Sequence, residues 1–106
     1  MPVSPITQYN YQFHGGPNGY QGNRAVLRLL NGTTSVAYVY FKVAATTLPA
    51  DADAGSGGFS WIRMYMPETA IPAVIDMVRN EKPLSVYFAS GSGFLLTGNE
   101  PIGEAE

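Results

Sequence analysis

Asn31-Gly32 separates two runs of residues, 24–30 and 33–43, that are typical of β-strands. Asn and Gly both tolerate the positive φ angles that a two-residue type I′ turn demands. The run from Thr33 to Val43 is dense in β-branched and aromatic residues, which fit a pleated sheet. The sequence therefore predicts an antiparallel hairpin at this position.

Four further segments have the composition of strands. Residues 6–13 alternate apolar or aromatic with polar residues, as a half-buried strand does. Residues 59–66 form a similar run that ends at Pro67, and 84–89 and 93–97 are short apolar runs joined by a Ser-Gly-Ser turn. The glycine-rich stretch 14–23 and the stretch 44–58 lack periodicity, so both are predicted to be loops.

One segment has the period of a helix. Four apolar residues recur at helical spacing on one stripe: Ile71, Val74, Ile75 and Val78. Thr69 is the predicted N-cap, which places Pro72 in the first turn, where its missing N–H is harmless. The spacing predicts an amphipathic helix over residues 70–79.

The order of these elements is β-β-β-β-α-β-β. A single helix gives too few crossovers for a doubly wound parallel sheet, so we predict an α+β fold. Its sheet is expected to be mainly antiparallel, with five or six strands, or a partly open barrel, with the one helix against it. The predicted domain is 1–98, and 99–106 is an acidic, flexible tail. Without the first strand, the order over residues 24–97 resembles the topology of the OB fold, although no sequence motif supports it.

Charge and cysteine content exclude several functions. Six basic against eight acidic residues leave a net charge of −2, which gives no footprint for duplex nucleic acid or an anionic membrane. The absence of cysteine excludes disulfides, thiolate catalysis and cysteine-ligated metals. The N-terminus does not have the pattern of a signal peptide, and no apolar run is long enough to span a membrane. A cytoplasmic protein without membrane contact is expected.

Alternation predicts one candidate site. It assigns six residues, spread over two strands, to the face opposite the aliphatic one: Tyr38, Tyr40, Lys42, Trp61, Arg63 and Tyr65. Aromatic residues with interspersed cations can stack bases and pair with phosphates of single-stranded nucleic acid, with Arg28 as a further cation. The same residues also suit a subunit contact, packing under a loop, or a small ligand such as a sugar.

No catalytic, cofactor or metal site can be assembled from the motifs. His14, the single histidine, has no identifiable partner, and a solvated loop histidine explains it. The stretch that begins Asp51-Ala52-Asp53 starts like a calcium loop but lacks the later ligands, so it is interpreted as a solvated loop. An enzyme in the cleft between the loops at His14 and 44–58 is a third hypothesis.

Low charge and half-polar aromatics favour a small non-catalytic binding or self-associating module. Only 13% of the residues are charged, against about 25% in typical soluble domains. A chain with so little charge is expected to bury part of its surface in a homo-oligomer. The alternative is a single-stranded nucleic-acid-binding protein of OB-like topology.

Overall fold

The computed structural model describes residues 4–43, 47–53, 62–89 and 91–97. The strands within these ranges are β1 (Ser4–Ile6), β2 (Gln8–Phe13), β3 (Asn23–Asn31), β4 (Thr34–Lys42), β5 (Ala52–Asp53), β6 (Ile62–Pro67), β7 (Leu84–Ala89) and β8 (Ser92–Thr97). A 3₁₀ turn, Glu68–Ala70, leads into the helix α1 (Ile71–Asn80). The predicted α+β class, with one helix and mainly antiparallel strands, is confirmed.

The strands form two sheets, one with the order β1-β7-β8 and the other with the order β2-β3-β4-β6-β5. The predicted first strand, 6–13, is divided between the two sheets. Ile6 ends β1 in the three-stranded sheet, and Gln8–Phe13 is β2 in the five-stranded sheet. The predicted hairpin is β3 and β4, but its turn is displaced by one residue. Asn31 pairs with Thr34, and Gly32 takes the positive φ of 65°, as the first central residue of a type II′ turn does.

β4 and β6 are neighbours and run parallel. The chain between them spans residues 43–61, which is long enough for the crossover connection that a parallel pair needs. The two strands after the helix, β7 and β8, belong to the other sheet. The OB-like arrangement suggested by the order of elements is therefore wrong. In an OB fold the strands that correspond to β4 and β6 run antiparallel, whereas here they run parallel.

The core lies between the two sheets and the helix. Alternate residues of β3, β4 and β6 are fully or nearly fully buried, as their pattern predicts, and include Leu27, Phe41 and Met64. The helix contributes Val74 and Val78 to this core. The remaining two members of its predicted stripe, Ile71 and Ile75, pack against the cluster and are partly exposed. Both the helix and its buried face were therefore predicted correctly.

The start of the helix differs in detail from the prediction. Thr69 lies within the 3₁₀ turn, and the N-cap is Ala70, which makes no side-chain capping bond. Pro72 lies at the second position of α1, where a backbone N–H would have no partner within the helix, so its absence costs no helical hydrogen bond. The 3₁₀ turn replaces the predicted threonine cap as the lead into the helix.

Asp51 ties the strands of the two sheets together. Its Oδ1 accepts the backbone N–H of Tyr65 in β6 at 2.9 Å, and its Oδ2 accepts that of Gly93 in β8 at 2.9 Å. The residue is half-buried. Its interpretation as part of a solvated loop is therefore wrong. The carboxylate accepts two strand N–H groups in the way that a neighbouring strand would.

Several predictions fall beyond the described ranges. Trp61, most of the loop 44–58 and the tail 99–106 lie outside the described residues. The domain boundary at 98 does as well, and the single-domain division stays a prediction. Among the helices that are described, none is long and apolar enough to cross a membrane.

Candidate binding face and cavity

The outer face of the five-stranded sheet carries five of the six predicted site residues. Parallel register places Tyr38 beside Arg63 and Tyr40 beside Tyr65, and Lys42 lies two residues further along β4. All five side chains are half-buried, whereas the alternate residues of both strands lie in the core. The predicted sharing of one face is thus observed for these residues.

The three tyrosines form a stacked row. The ring centroids of Tyr38 and Tyr40 are 6.2 Å apart, and those of Tyr40 and Tyr65 are 5.3 Å apart, with interplanar angles of 15° and 21°. Lys42 Nζ lies 5.7 Å from the centroid of Tyr65. Tyr40 therefore stacks with two rings of this row, whereas Tyr38 and Tyr65 each stack with one.

Tyr40, in the middle of the row, stays a neutral phenol over a wider pH range than a free tyrosine. Burial raises the pKa of its hydroxyl above the usual 10.0, and the neighbouring phenols Tyr65 and Tyr38 raise this pKa further, while the charge of Arg63 opposes the increase. A neutral phenol can both donate and accept a hydrogen bond. Tyr40 can therefore contact either kind of ligand group.

A cavity of about 360 Å³ adjoins this row. Its floor consists of outward-facing residues of β2, β3 and β4, and the segment 14–23 forms its wall. Four carboxamide side chains line it: Asn10, Gln12, Gln21 and Asn23. The remaining lining residues are His14, Tyr20, Val26, Arg28, Tyr38 and Tyr40. Among the described residues, the lining thus combines donors and acceptors with one permanent cation and contains no carboxylate.

Arg28 is fixed in this lining by a single hydrogen bond. Its Nε donates to Ser35 Oγ at 2.7 Å across the β3–β4 hairpin. Within the described part of the chain, its terminal nitrogens Nη1 and Nη2 have no acceptor. A guanidinium held in this way can donate two further hydrogen bonds to ligand oxygens.

Arg24 holds the wall of the cavity in place. Its Nη1 donates to the carbonyl oxygens of His14 at 2.7 Å and Gly16 at 2.8 Å, and its Nη2 donates to that of Pro17 at 3.3 Å. The guanidinium also forms an ion pair with Glu68, with 3.4 Å between Nε and Oε1. One side chain therefore orders a glycine-rich segment that has little regular structure of its own.

The end of the wall is a tight turn. Tyr20 and Asn23 exchange two backbone hydrogen bonds, of 3.0 and 2.9 Å, and the central residues Gln21 and Gly22 have φ of 54° and 78°. Two positive φ angles define a type I′ turn, and a left-handed glutamine costs energy that the surrounding structure must supply. Gln21, at this turn, is one of the residues that line the cavity.

Asn23 carries an unusual buried group. The residue is 7% exposed and lines the cavity, and its side-chain Oδ1 has no hydrogen-bond partner among the residues that the structure describes. Buried polar atoms are nearly always paired, since an unpaired one costs about 1–3 kcal/mol. The unpaired oxygen is therefore a local energetic cost within the wall of the cavity.

His14 is not the solvated histidine that the sequence suggested. It is half-buried, its Nδ1 lies 2.9 Å from the carbonyl oxygen of Asn23, and its ring makes an edge contact with Tyr20 at 5.5 Å. A carbonyl oxygen can only accept, so Nδ1 carries the proton and Nε2 is the acceptor of the neutral ring. The ring therefore has a backbone partner, whereas an orienting carboxylate is typical of catalytic histidines.

Sequence reasoning placed the tyrosine row on one face but missed the cavity beside it. The cavity depends on the backbone path of residues 14–23, which periodicity does not describe. Gly22 at the second central position of the Tyr20–Asn23 turn was the available signal for a hairpin. The chain matches no protein-family model, no curated protein and no solved structure.

Proposed function

We propose that the protein is a non-catalytic binding module whose cavity takes a small, hydroxyl-rich ligand of the carbohydrate class. The observation that carries this proposal is the set of four carboxamide side chains that line the cavity, those of Asn10, Gln12, Gln21 and Asn23. Sugar hydroxyls both donate and accept hydrogen bonds, as carboxamides do. Burial of polar groups that are paired only with the ligand gives selectivity for ligands that supply those partners.

Size and charge support the same ligand class. Ligand cavities range from about 300 to 1,000 Å³, so a cavity of about 360 Å³ suits a mono- or disaccharide. Arg28 is the one permanently charged residue among the described lining residues, and it favours a ligand with oxygen acceptors or an acid group. Phenol edges of Tyr38 and Tyr40 border the same space and offer further hydroxyls.

An NMR titration of the ¹⁵N-labelled protein tests this proposal. The probes are glucose, galactose, N-acetylglucosamine, glucuronate and maltose, each added up to about 50 mM, so that a site with a binding free energy of only about −4 kcal/mol, a Kd near 1 mM, is still saturated. The expected result is saturable shifts of the Asn and Gln side-chain amide signals with at least one probe. No saturable shift with any of them would overturn the carbohydrate proposal.

Two glutamines of β2 provide a matched pair of variants. Gln12 lines the cavity, whereas Gln8 lies on the same face of the same strand outside it. Gln12→Ala is expected to weaken the sugar about tenfold, the effect of one lost hydrogen bond of about 1.4 kcal/mol, and Gln8→Ala is expected to leave Kd unchanged. Equal effects of the two substitutions would place the ligand elsewhere.

Single-stranded nucleic acid is the second candidate. The observation in its favour is the alignment of Lys42 and Arg63 with the tyrosine row on one face. The coverage of ring faces by neighbouring rings reduces the surface on which bases could stack. Fluorescence anisotropy with oligo(dT) and oligo(rU) at low salt tests it. Three cations on this face predict a salt slope near −2, and absent or salt-independent binding would exclude this candidate.

Self-association and a cytoplasmic location complete the proposal. The low charged fraction of 13% supports burial of some surface between copies. Microscopy of a fluorescently tagged chain tests the location, and a signal confined to the cell envelope would contradict it.

A further inference from the structure

β2 forms an open edge of the five-stranded sheet. The His14 N–H donates to the Arg24 carbonyl oxygen at 2.8 Å, in register with the β2–β3 pairing. Antiparallel pairs alternate, so every second residue back from His14 also bonds β3. The N–H and C=O groups of the intervening residues, Tyr9 and Tyr11, therefore point toward the open edge, where no described strand pairs with them.

This edge lacks the features that usually prevent pairing between molecules. Gln8–Phe13 contains no charged residue, no proline and no bulge in its register with β3. The sequence has no Asp, Glu, Lys or Arg before Arg24, so no side chain of β2 or of the loop that follows it is permanently charged. Tyr11 and Phe13 are 42% and 57% exposed. The strand is thus neutral, apolar on one face and open along its backbone.

Five residues of the strand form a palindromic sequence. Gln8-Tyr9-Asn10-Tyr11-Gln12 reads the same in both directions around Asn10. Two copies that pair antiparallel about a two-fold axis at Asn10 place Tyr9 opposite Tyr11 of the other copy and Gln8 opposite Gln12 of the other copy. Isologous contacts of this kind need a self-complementary surface, and a palindromic strand provides one.

We propose that β2 pairs with β2 of a second copy of this chain, with Asn10 facing its own counterpart across the two-fold axis. The alternation fixed by β3 makes this register compatible with hydrogen bonding. Tyr9 and Tyr11 carry the outward-pointing backbone groups, so the Tyr9–Tyr11 pairs on both sides of the axis make four backbone hydrogen bonds. The two five-stranded sheets then form one continuous sheet.

Side chains of the strand divide between the two faces of this joint sheet. The rings of Tyr9 and Tyr11 are already stacked within one chain, with centroids 6.1 Å apart and an interplanar angle of 7°. Pairing extends this stack across the axis by aromatic cross-strand contacts. On the opposite face, the carboxamides of Asn10 and Gln12 line the cavity of each copy, so the two cavities adjoin at the axis. The pairing itself does not depend on any ligand.

Charge exchange at Asn10 tests the proposal. Sedimentation equilibrium between about 5 and 200 µM should show a monomer–dimer equilibrium for the wild type. Asn10→Lys and Asn10→Asp each place like charges opposite each other and should be monomeric, whereas their equimolar mixture should recover dimers. Asn18→Lys, in the exposed part of the wall, is the control and should dimerise as the wild type does. A monomeric wild type, or two single variants that still dimerise, would overturn the proposal.

Hydrogen exchange of the wild type gives a second readout that needs no variant. The N–H groups of Tyr9 and Tyr11 should exchange about tenfold more slowly at the highest concentration than at the lowest, because only dimers protect them. The N–H groups of Asn10 and Gln12 are bonded to β3 in either state and should change little. A dimer without this selective protection would use another surface. Absence of sugar binding would leave this result untouched, so the two proposals fail separately.

Discussion

Replacing Asp51 by asparagine tests how firmly the two sheets are joined. The carboxylate accepts one backbone N–H from Tyr65 and one from Gly93, each at 2.9 Å. Asn keeps the shape and one acceptor oxygen but turns a donor NH₂ group toward the other N–H. Asp51→Asn therefore removes one charge-assisted bond, sets two donors against each other and weakens the remaining bond.

The size of the effect follows from these contacts. A hydrogen bond to a charged group contributes about 1.5–3 kcal/mol, and the half-buried position of Asp51 favours the lower part of that range. We expect the free energy of unfolding to fall by about 2 kcal/mol. For a chain of this size, about 4–8 °C of Tm corresponds to 1 kcal/mol, so Tm should fall by about 8–16 °C.

Urea unfolding followed by far-UV circular dichroism measures this change. The matched control is Asp76→Asn, because Asp76 is exposed on the helix and its Oδ1 accepts one bond, from Asn80 Nδ2 at 2.7 Å. The control should change the free energy of unfolding by less than about 0.5 kcal/mol. If Asp51→Asn changed stability no more than Asp76→Asn, the assigned role of Asp51 in joining β6 and β8 would be refuted.

Three further perturbations have expected outcomes. Burial raises the pKa of Tyr40, so the unfolded chain loses this proton at a lower pH than the folded chain does. The free energy of unfolding, measured with urea, should therefore fall as pH rises above about 10, and it should fall less in Tyr40→Phe. Leu27 is 0% exposed, and Leu27→Ala should lower the free energy of unfolding by about 2–5 kcal/mol in the same assay. A loss below about 1 kcal/mol would contradict its core position. Gly19→Ala would place a Cβ 2.1 Å from the Asn23 carbonyl oxygen, whereas at Gly16 the added Cβ meets no atom of the described residues and only the φ of 84° is unfavourable. Gly19→Ala should therefore lower Tm more than Gly16→Ala, and equal losses would contradict the close approach.

Alternation predicted the two faces of β4 and β6 correctly, because its period is a local property of the chain. No irregularity interrupts the pairing of Tyr38, Tyr40 and Lys42 with β6, so alternate side chains keep their sides. The parallel direction of that pair could not be predicted in the same way. It depends on the path of residues 43–61, and an aperiodic segment gives no direction for the strand that follows it.

The cavity shows a similar limit. His14 and Asn23 are nine residues apart and meet only because the intervening segment turns back at Tyr20–Asn23. That turn needs a left-handed Gln21, which is not a residue that sequence rules expect there. Local patterns thus predicted the sheet face, whereas the wall of the cavity results from backbone conformations that only the folded chain defines.

β2 serves the cavity and the open edge with different atoms, and this separates the two proposals physically. The side chains of Asn10 and Gln12 point to the cavity face, and their backbone groups bond β3. The backbone groups of Tyr9 and Tyr11 point to the open edge, and their side chains lie on the opposite face. Gln12→Ala thus removes a ligand contact without removing an edge hydrogen bond. If both proposals hold, dimers bring two cavities together at the axis, and a ligand that spans them should bind dimers more tightly than monomers. Ligand and dimerisation must then strengthen each other by the same factor.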